Sequence, residues 1–157
     1  MISCEFENGN KASLRHATVK ALTVNGKNQV LLEKRAQHLT RGGKYDLPGG
    51  FMDRDETSEE CALRELFEET GIRGEIQFLF RINDNPNRPQ EDRQNVDFIY
   101  IVKEISGELK TDHESTDVGW YSEEDIPSED DFAFDHRDSI LKYFQYLKEP
   151  FKLPIIG

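Results

Sequence analysis

Cysteine is scarce in this chain of 157 residues: Cys4 and Cys61 stand alone, so no disulfide framework and no thiolate ligand set can be built. Histidine is nearly as thin. His16, His38, His113 and His136 show no pair at metal-ligand spacing and read as strand, loop or capping residues. Positive charge is in deficit, with 20 Lys and Arg against 31 Asp and Glu and a formal net charge of −11. That deficit argues against a nucleic-acid partner, which calls for a basic face. It does not exclude an anionic small substrate, because a bound metal reverses the local field. No window reaches the apolar length of a membrane span, and the start MISCEFENGNKASLR lacks the basic and apolar runs of a signal peptide. A cytoplasmic location without a membrane partner is the resulting expectation. No internal repeat or low-complexity segment is present. The length suits one domain over residues 1–157, with 1–14 and 149–157 peripheral.

What the chain does have is an unusual acidic stretch at residues 50–72, GFMDRDETSEECALRELFEETGI. Its second half predicts a helix. Thr57 is an N-cap with Glu60 three residues on, the capping-box pattern, and Asp55 and Glu56 place negative charge near the positive end of the helix dipole. Gly71 supplies the stop, since glycine adopts the left-handed conformation at little cost. At 100° per residue, roughly, Ala62, Leu63, Leu66, Phe67 and Thr70 fall on one side and Glu65, Glu68 and Glu69 on the other. The acidic side sets like charges at i,i+3 and i,i+4, which is unfavourable by itself. Arg64 relieves part of that through Glu68 but cannot neutralise three acids. A hard dication can, because Mg²⁺ takes carboxylate oxygens and keeps waters that a phosphate replaces. A solvated acidic face is the plainer account of such a cluster.

Context decides between them. Gly50, Glu56 and the run Arg64-Glu65-Leu66-Phe67-Glu68-Glu69-Thr70-Gly71-Ile72 match every fixed position of the Nudix box, and the chain resembles a Nudix hydrolase. The resemblance implies an α/β fold, a Nudix α/β/α sandwich with a mixed β-sheet and a loop–helix–loop catalytic motif. It implies Mg²⁺ (or Mn²⁺) held by Glu65, Glu68 and Glu69 with the Gly49 carbonyl, one acid doubling as base. Arg64 would orient the acids and Glu56 would pair with Arg64. Cys61 reads as a buried packing residue, with a role as small filler beside the metal as the competing account.

The rest of the chain supplies the frame. Residues 1–14 show no clean period and read as a loose lead-in or an edge strand. Ala17 to Val24 and Val30 to Arg35 predict a hairpin about the turn dipeptide Asn25-Gly26. In the related family the arginine of such a strand often faces substrate, which makes Arg35, with Gly50 and Phe51, a substrate-side candidate. Glu75 to Ile82 reads as a strand, and the polar run at residues 83–94 as a long loop. Residues 95–102, NVDFIYIV, read as a central strand. The acidic segment around Asp112, Glu114 and Asp117 precedes a strand ending at Trp120-Tyr121. By the resemblance it offers a further ligand or a general base, Glu114 first. Residues 122–127 read as a short capped turn. A last helix is expected from Asp135, its N-cap, through Leu147, burying Ile140, Leu141, Phe144 and Leu147.

These features imply hydrolysis of a phosphoanhydride in a nucleotide-derived small molecule. Ala133-Phe134-Asp135-His136 is similar to a signature of ADP-ribose pyrophosphatase-like members, and Pro86 is loosely compatible with the proline downstream of their box. ADP-ribose or a related nucleoside diphosphate sugar is therefore the expected substrate. A housecleaning (deoxy)nucleoside triphosphate pyrophosphohydrolase is the alternative enzyme, and a nucleotide sensor without turnover the alternative of another class. Tyr45, Phe51 and Tyr100 are candidates to stack on a base, with core packing as the competing role. Oligomeric state stays open, a homodimer being one option.

Overall fold

The computed structural model describes residues 2–88 and 94–157, so part of the polar run at 83–94 lies outside the described residues. Residues 2–14 form neither a loose lead-in nor an edge strand of the main sheet. They pair with themselves as β1 (Ile2–Glu5) and β2 (Lys11–Leu14), a separate two-stranded antiparallel sheet. The main sheet has seven strands: β3 (Ala17–Val24), β4 (Val30–Arg35), β5 (Tyr45–Asp46), β6 (Ile72–Asn83), β7 (Val96–Gly107), β8 (Ser115–Tyr121) and β9 (Ile155–Ile156). It is mixed, since β3–β7 and β6–β9 run parallel and the other pairs antiparallel. Helices α1 (Ser58–Thr70) and α2 (His136–Lys148) complete an α/β Nudix-type sandwich.

Alternation along the strands builds two cores, one on each face. Val19, Ala21, Leu31, Tyr100 and Val102 pack with Cys61, Ala62 and Leu66 of α1. Leu22, Leu32, Phe80, Ile99 and Ile101 pack with Ile140, Tyr143 and Phe144 of α2. The second helix therefore buries a different stripe from the expected one. Tyr143 is inside, whereas Leu141 and Leu147 are 37% and 46% exposed. The last strand, β9, adds to the edge of β6, and Phe151 from the same tail packs beside Phe80.

A fork in the sheet positions the site. The hairpin β3–β4 is paired in register at Val24 and Val30, beyond which the strands splay. The segment after β5 fills the gap. Ala21 N donates to Pro48 O and Val19 N to Gly50 O, both at 2.9 Å. Buried N–H groups need acceptors, and here the Pro48-Gly49-Gly50 backbone replaces the missing strand. Gly49 sits at φ 143, and a Cβ on it would collide with the Val19 carbonyl.

Candidate functional site

Helix α1 forms as its sequence requires. Thr57 Oγ1 accepts from Glu60 N at 3.2 Å, Glu60 Oε2 accepts from Thr57 N at 2.8 Å, and Gly71 closes the helix at φ 75. Its two faces, however, divide differently from the helical wheel. Glu69 is buried at 6% exposure, because the fork segment lies against it and Gly49 N donates to its Oε2 at 2.7 Å. Leu63 and Phe67 are half-buried, and the Phe67 ring carries the Arg73 guanidinium 4.1 Å from its centroid.

Arg64 gathers the remaining acids. Its Nε and Nη2 donate to Glu56 at 3.0 and 2.8 Å, and its Nη1 donates to Glu65 at 2.9 Å and Glu68 at 3.1 Å. The two bonds from Arg64 hold the Glu56 carboxyl down to about 2. Burial raises Glu65 above the ordinary carboxylate range, with Arg64 opposing. A Cβ on Gly50 would come within 2.5 Å of Glu65 Oε1, so a glycine is needed for that carboxylate to lie where it does. Cys61 is fully buried, its thiol pushed up to about 12 by burial, and it packs in the α1 core.

Glu65 and Glu69 face a cavity of 720 Å³, together with Gly49, Gly50, Phe51 and Arg35. Glu114 reaches the same cavity from the loop before β8, whereas Asp112 accepts from Glu114 N and Ser115 N within that loop. Asp117 is exposed and lies opposite Lys34 in the β4–β8 register. Glu68, 56% exposed, and Glu56 hold Arg64 without lining the cavity. Of the aromatic candidates, Phe51 lines it. Tyr45 instead packs edge-on to Tyr121, and Tyr100 is buried with its hydroxyl 2.6 Å from Ser58 Oγ.

Several lining residues carry no box signal. Lys20, Thr18 and Asp97 continue the apolar rows of Leu22 and Ile99 toward the cavity, so the α2-side core ends in charge. His136 is fully buried and bridges two acids. Its Nδ1 meets Asp46 Oδ1 at 2.5 Å and its Nε2 meets Asp97 Oδ2 at 3.1 Å. Burial pushes the imidazole toward neutrality, but Asp46 and Asp97 outweigh that and raise it, and Arg88 Nη2 lies 3.1 Å from the same Nε2. Arg88 lies 2.7 Å from Asp97 and donates to Asp135. Asp135 occupies the N-cap position but makes no capping bond, because Arg88 and Asn83 take its carboxylate. Pro86, on the same connection as Arg88, is exposed. Phe134 lines the cavity beside Arg35, whose guanidinium is 5.5 Å from the ring centroid. The available signal was a lone charge inside an otherwise apolar strand, as in ATVKALTV and VDFIYIV.

Glu33, on β4, is a further buried charge, though it is not on the cavity wall. It is 2% exposed, its Oε2 has no hydrogen-bond partner, and burial plus Asp46 push it up to about 8. Burial and the neighbouring Glu33 likewise raise Glu69 well above the usual range. Two buried carboxylates near each other with one shared cation, Lys20, favour protonation when no further positive charge is present. Among the described residues, no three Asp, Glu, His or Cys side chains converge as they stand on one point. Glu65, Glu69 and the Gly49 carbonyl nevertheless give one cavity wall an oxygen-only, negatively charged donor set, which suits a hard dication.

A family model, the NUDIX domain, matches residues 14–143. The chain belongs to the Nudix family, whose members generally use a divalent metal and act on nucleotide-derived small molecules. Within that family it is a hydrolase of the pyrophosphatase type. An ADP-ribose pyrophosphatase of Methanocaldococcus jannaschii is 31% identical over 119 residues, covering 76% of this chain and 68% of that protein. A NUDIX hydrolase structure from Nitrosomonas europaea matches with a TM-score of 0.80 at 25% identity, covering 99% of this chain and 92% of that one. An ADP-ribose pyrophosphatase structure from Streptococcus suis matches with a TM-score of 0.74, covering 92% of this chain and all (100%) of that one. At 19% identity the last shows the fold alone. Among the described residues no helix is long and apolar enough to cross a membrane.

Proposed function

We propose that this chain hydrolyses, with Mg²⁺ or Mn²⁺ bound, the phosphoanhydride of a nucleoside diphosphate joined to a second group, ADP-ribose or a related nucleoside diphosphate sugar. The observation that carries this reading is that the acids of the box and a set of cations share one cavity. Glu65 and Glu69 lie on its wall, and Arg35, Arg88 and His136 line it too. In a chain of net charge −11, a recess with Arg35 beside the box acids suits a metal-bound polyanion. Arg35 is the one of the three with an accessible side chain (17%), while Arg88 and His136 are held by Asp97, Asp135 and Asp46. The volume, 720 Å³, lies in the range of pockets that enclose a whole small-molecule ligand.

In this reading Glu65, Glu69 and the Gly49 carbonyl hold the metal, with Glu68 joining them as Arg64 releases it. When bound, the metal neutralises phosphate charge and lowers the pKa of its water. Arg64, tied to Glu56, fixes the direction in which Glu65 points. Glu114, half-buried at the cavity with its carboxylate 3.5 Å from His113 Nε2, would take the proton from attacking water. Arg35, anchored on Asp46 at 3.1 Å and on the Thr40 carbonyl at 3.0 Å, holds an anionic oxygen of the substrate. Phe51 and Phe134 offer ring faces to the nucleoside.

Product identification tests this. Incubation of ADP-ribose with the protein and Mg²⁺ is expected to give AMP and ribose 5-phosphate. Pyrophosphate release from nucleoside triphosphates, with ADP-ribose left intact, would move the assignment to a housecleaning enzyme. Binding of ADP-ribose with no product under either metal would make the chain a sensor.

A further inference from the structure

Lys20 sits in the middle of β3, 8% exposed at its side chain, yet it lines the cavity. An ammonium lining a pocket for polyphosphates invites the reading that it binds phosphate, and the donor count rules against that. Its Nζ has three N–H groups, and each has an acceptor: Asp46 Oδ2 at 3.0 Å, Leu47 O at 2.8 Å and Gly49 O at 3.2 Å. None is left for a ligand.

The third of those acceptors is the informative one. Gly49-Gly50 is the least constrained backbone around the site, because glycine resists few rotations. Gly49 is nevertheless held at both ends, its N–H by Glu69 Oε2 at 2.7 Å and its carbonyl by Lys20. A carbonyl oxygen has two lone pairs, so one remains for the cavity. A bare ammonium at that distance would repel a dication. Asp46, fully buried against the ammonium, offsets part of that charge, and it is itself fixed by Arg35, His136 and the Leu47 N–H.

The geometry points to Lys20 as a positioning residue that aims the Gly49 carbonyl at the metal, with Asp46 offsetting part of its charge. This rests on the metal assignment proposed above. Lys20 touches no substrate atom in this account. Its hydrogen bond acts through one backbone oxygen, as the outer partners of metal ligands generally act, while its charge, which Glu33 and Glu69 also feel, is kept by an arginine.

The test is Mn²⁺ binding to the metal-free chain without substrate, read by electron paramagnetic resonance, the relevant signal being that lost in Glu69→Gln. Lys20→Arg keeps the charge and the pairing with Asp46, but a planar guanidinium cannot serve three acceptors grouped round one nitrogen. The expected result is a melting temperature near the parent's and Mn²⁺ affinity lower by about 10–100-fold, the usual cost of losing an outer partner. Undiminished Mn²⁺ affinity in Lys20→Arg would overturn the inference, since a merely structural lysine is rescued by arginine. If arginine is not accommodated, Lys20→Met is measured the same way. It also removes a positive charge near Glu69, which by itself favours the dication, so a lower Mn²⁺ affinity supports the inference and an unchanged or higher one overturns it. Absence of any such signal in the parent would overturn the metal assignment itself, which separates the two failures.

Discussion

Two charged clusters flank the same cavity and differ in how they are balanced. On the box side, Glu56, Glu65 and Glu68 share one arginine, and Glu69 and Glu33 share Lys20, which Asp46 already occupies. On the α2 side, Asp46, Asp97 and Asp135 are matched by Lys20, Arg35, Arg88 and His136, almost all of it buried. The first cluster has surplus negative charge, and its buried acids Glu65, Glu69 and Glu33 are raised, Glu56 on Arg64 being the exception. The second holds its carboxyls far below the usual range: Lys20 and His136 oppose burial at Asp46, and His136 and Arg88 do so at Asp97. A cluster short of cations is arranged to receive one. A cluster already neutralised is arranged to hold its shape. Breaking the box side should therefore cost activity, and breaking the α2 side should cost folding.

The largest effect separates them outright. Chelation by EDTA is expected to abolish turnover and leave the circular dichroism spectrum unchanged, with Mg²⁺ or Mn²⁺ restoring activity. Asp97→Ala should do the reverse by taking from each of Arg88 and His136 one of the two acids it pairs with. A loss of about 3–5 kcal/mol in urea unfolding is expected for breaking such a pair. Glu69→Gln should lower turnover by roughly two or more orders of magnitude, in keeping with loss of a main electrostatic stabiliser. Near-parental rates at saturating Mg²⁺ would remove the distinction drawn here.

The pH dependence of stability sharpens the contrast. His136 has a raised folded pKa, so its contribution is full below its unfolded value, about 6.5, and is lost as pH rises through the folded value. Asp46 and Asp97 are depressed, so theirs is full above an unfolded value of about 3.9 and is lost as pH falls through their folded values. Glu33 and Glu69 are raised, so their contribution is full below an unfolded value of about 4.3 and is lost as pH rises through their folded values, ahead of the loss from His136. Denaturant midpoints in metal-free buffer should peak at about pH 4–4.5 and fall above it, and added Mg²⁺ should flatten that fall. The smallest effect is at the helix cap. Thr57→Ala is expected to cost about 1 kcal/mol with turnover per folded molecule unchanged, measured by thermal unfolding beside an activity assay.

Local chemistry made much of this molecule readable. The strands at 17–24 and 30–35, the capping box at Thr57 and Glu60, the Gly71 stop and the central place of β7 follow from short-range pattern. The acids and Arg64 were readable because their spacing on one helix determines which of them can share a cation. Glu33, Lys20, Asp46 and Asp97 were not, since a charge inside a strand says nothing about its partner across the sheet.

Sequence by itself determined the capped helix, its acidic array and the family to which the chain belongs, because each rests on residues within a few positions of one another. Tertiary structure alone decided that Glu69 is buried against Gly49, that Asp135 serves Arg88 in place of its own helix, and that His136 is buried between two acids. The reason is distance along the chain. His136 and Asp46 lie 90 positions apart, and their burial and pairing exist only once the sheet has forked and α2 has docked beside it.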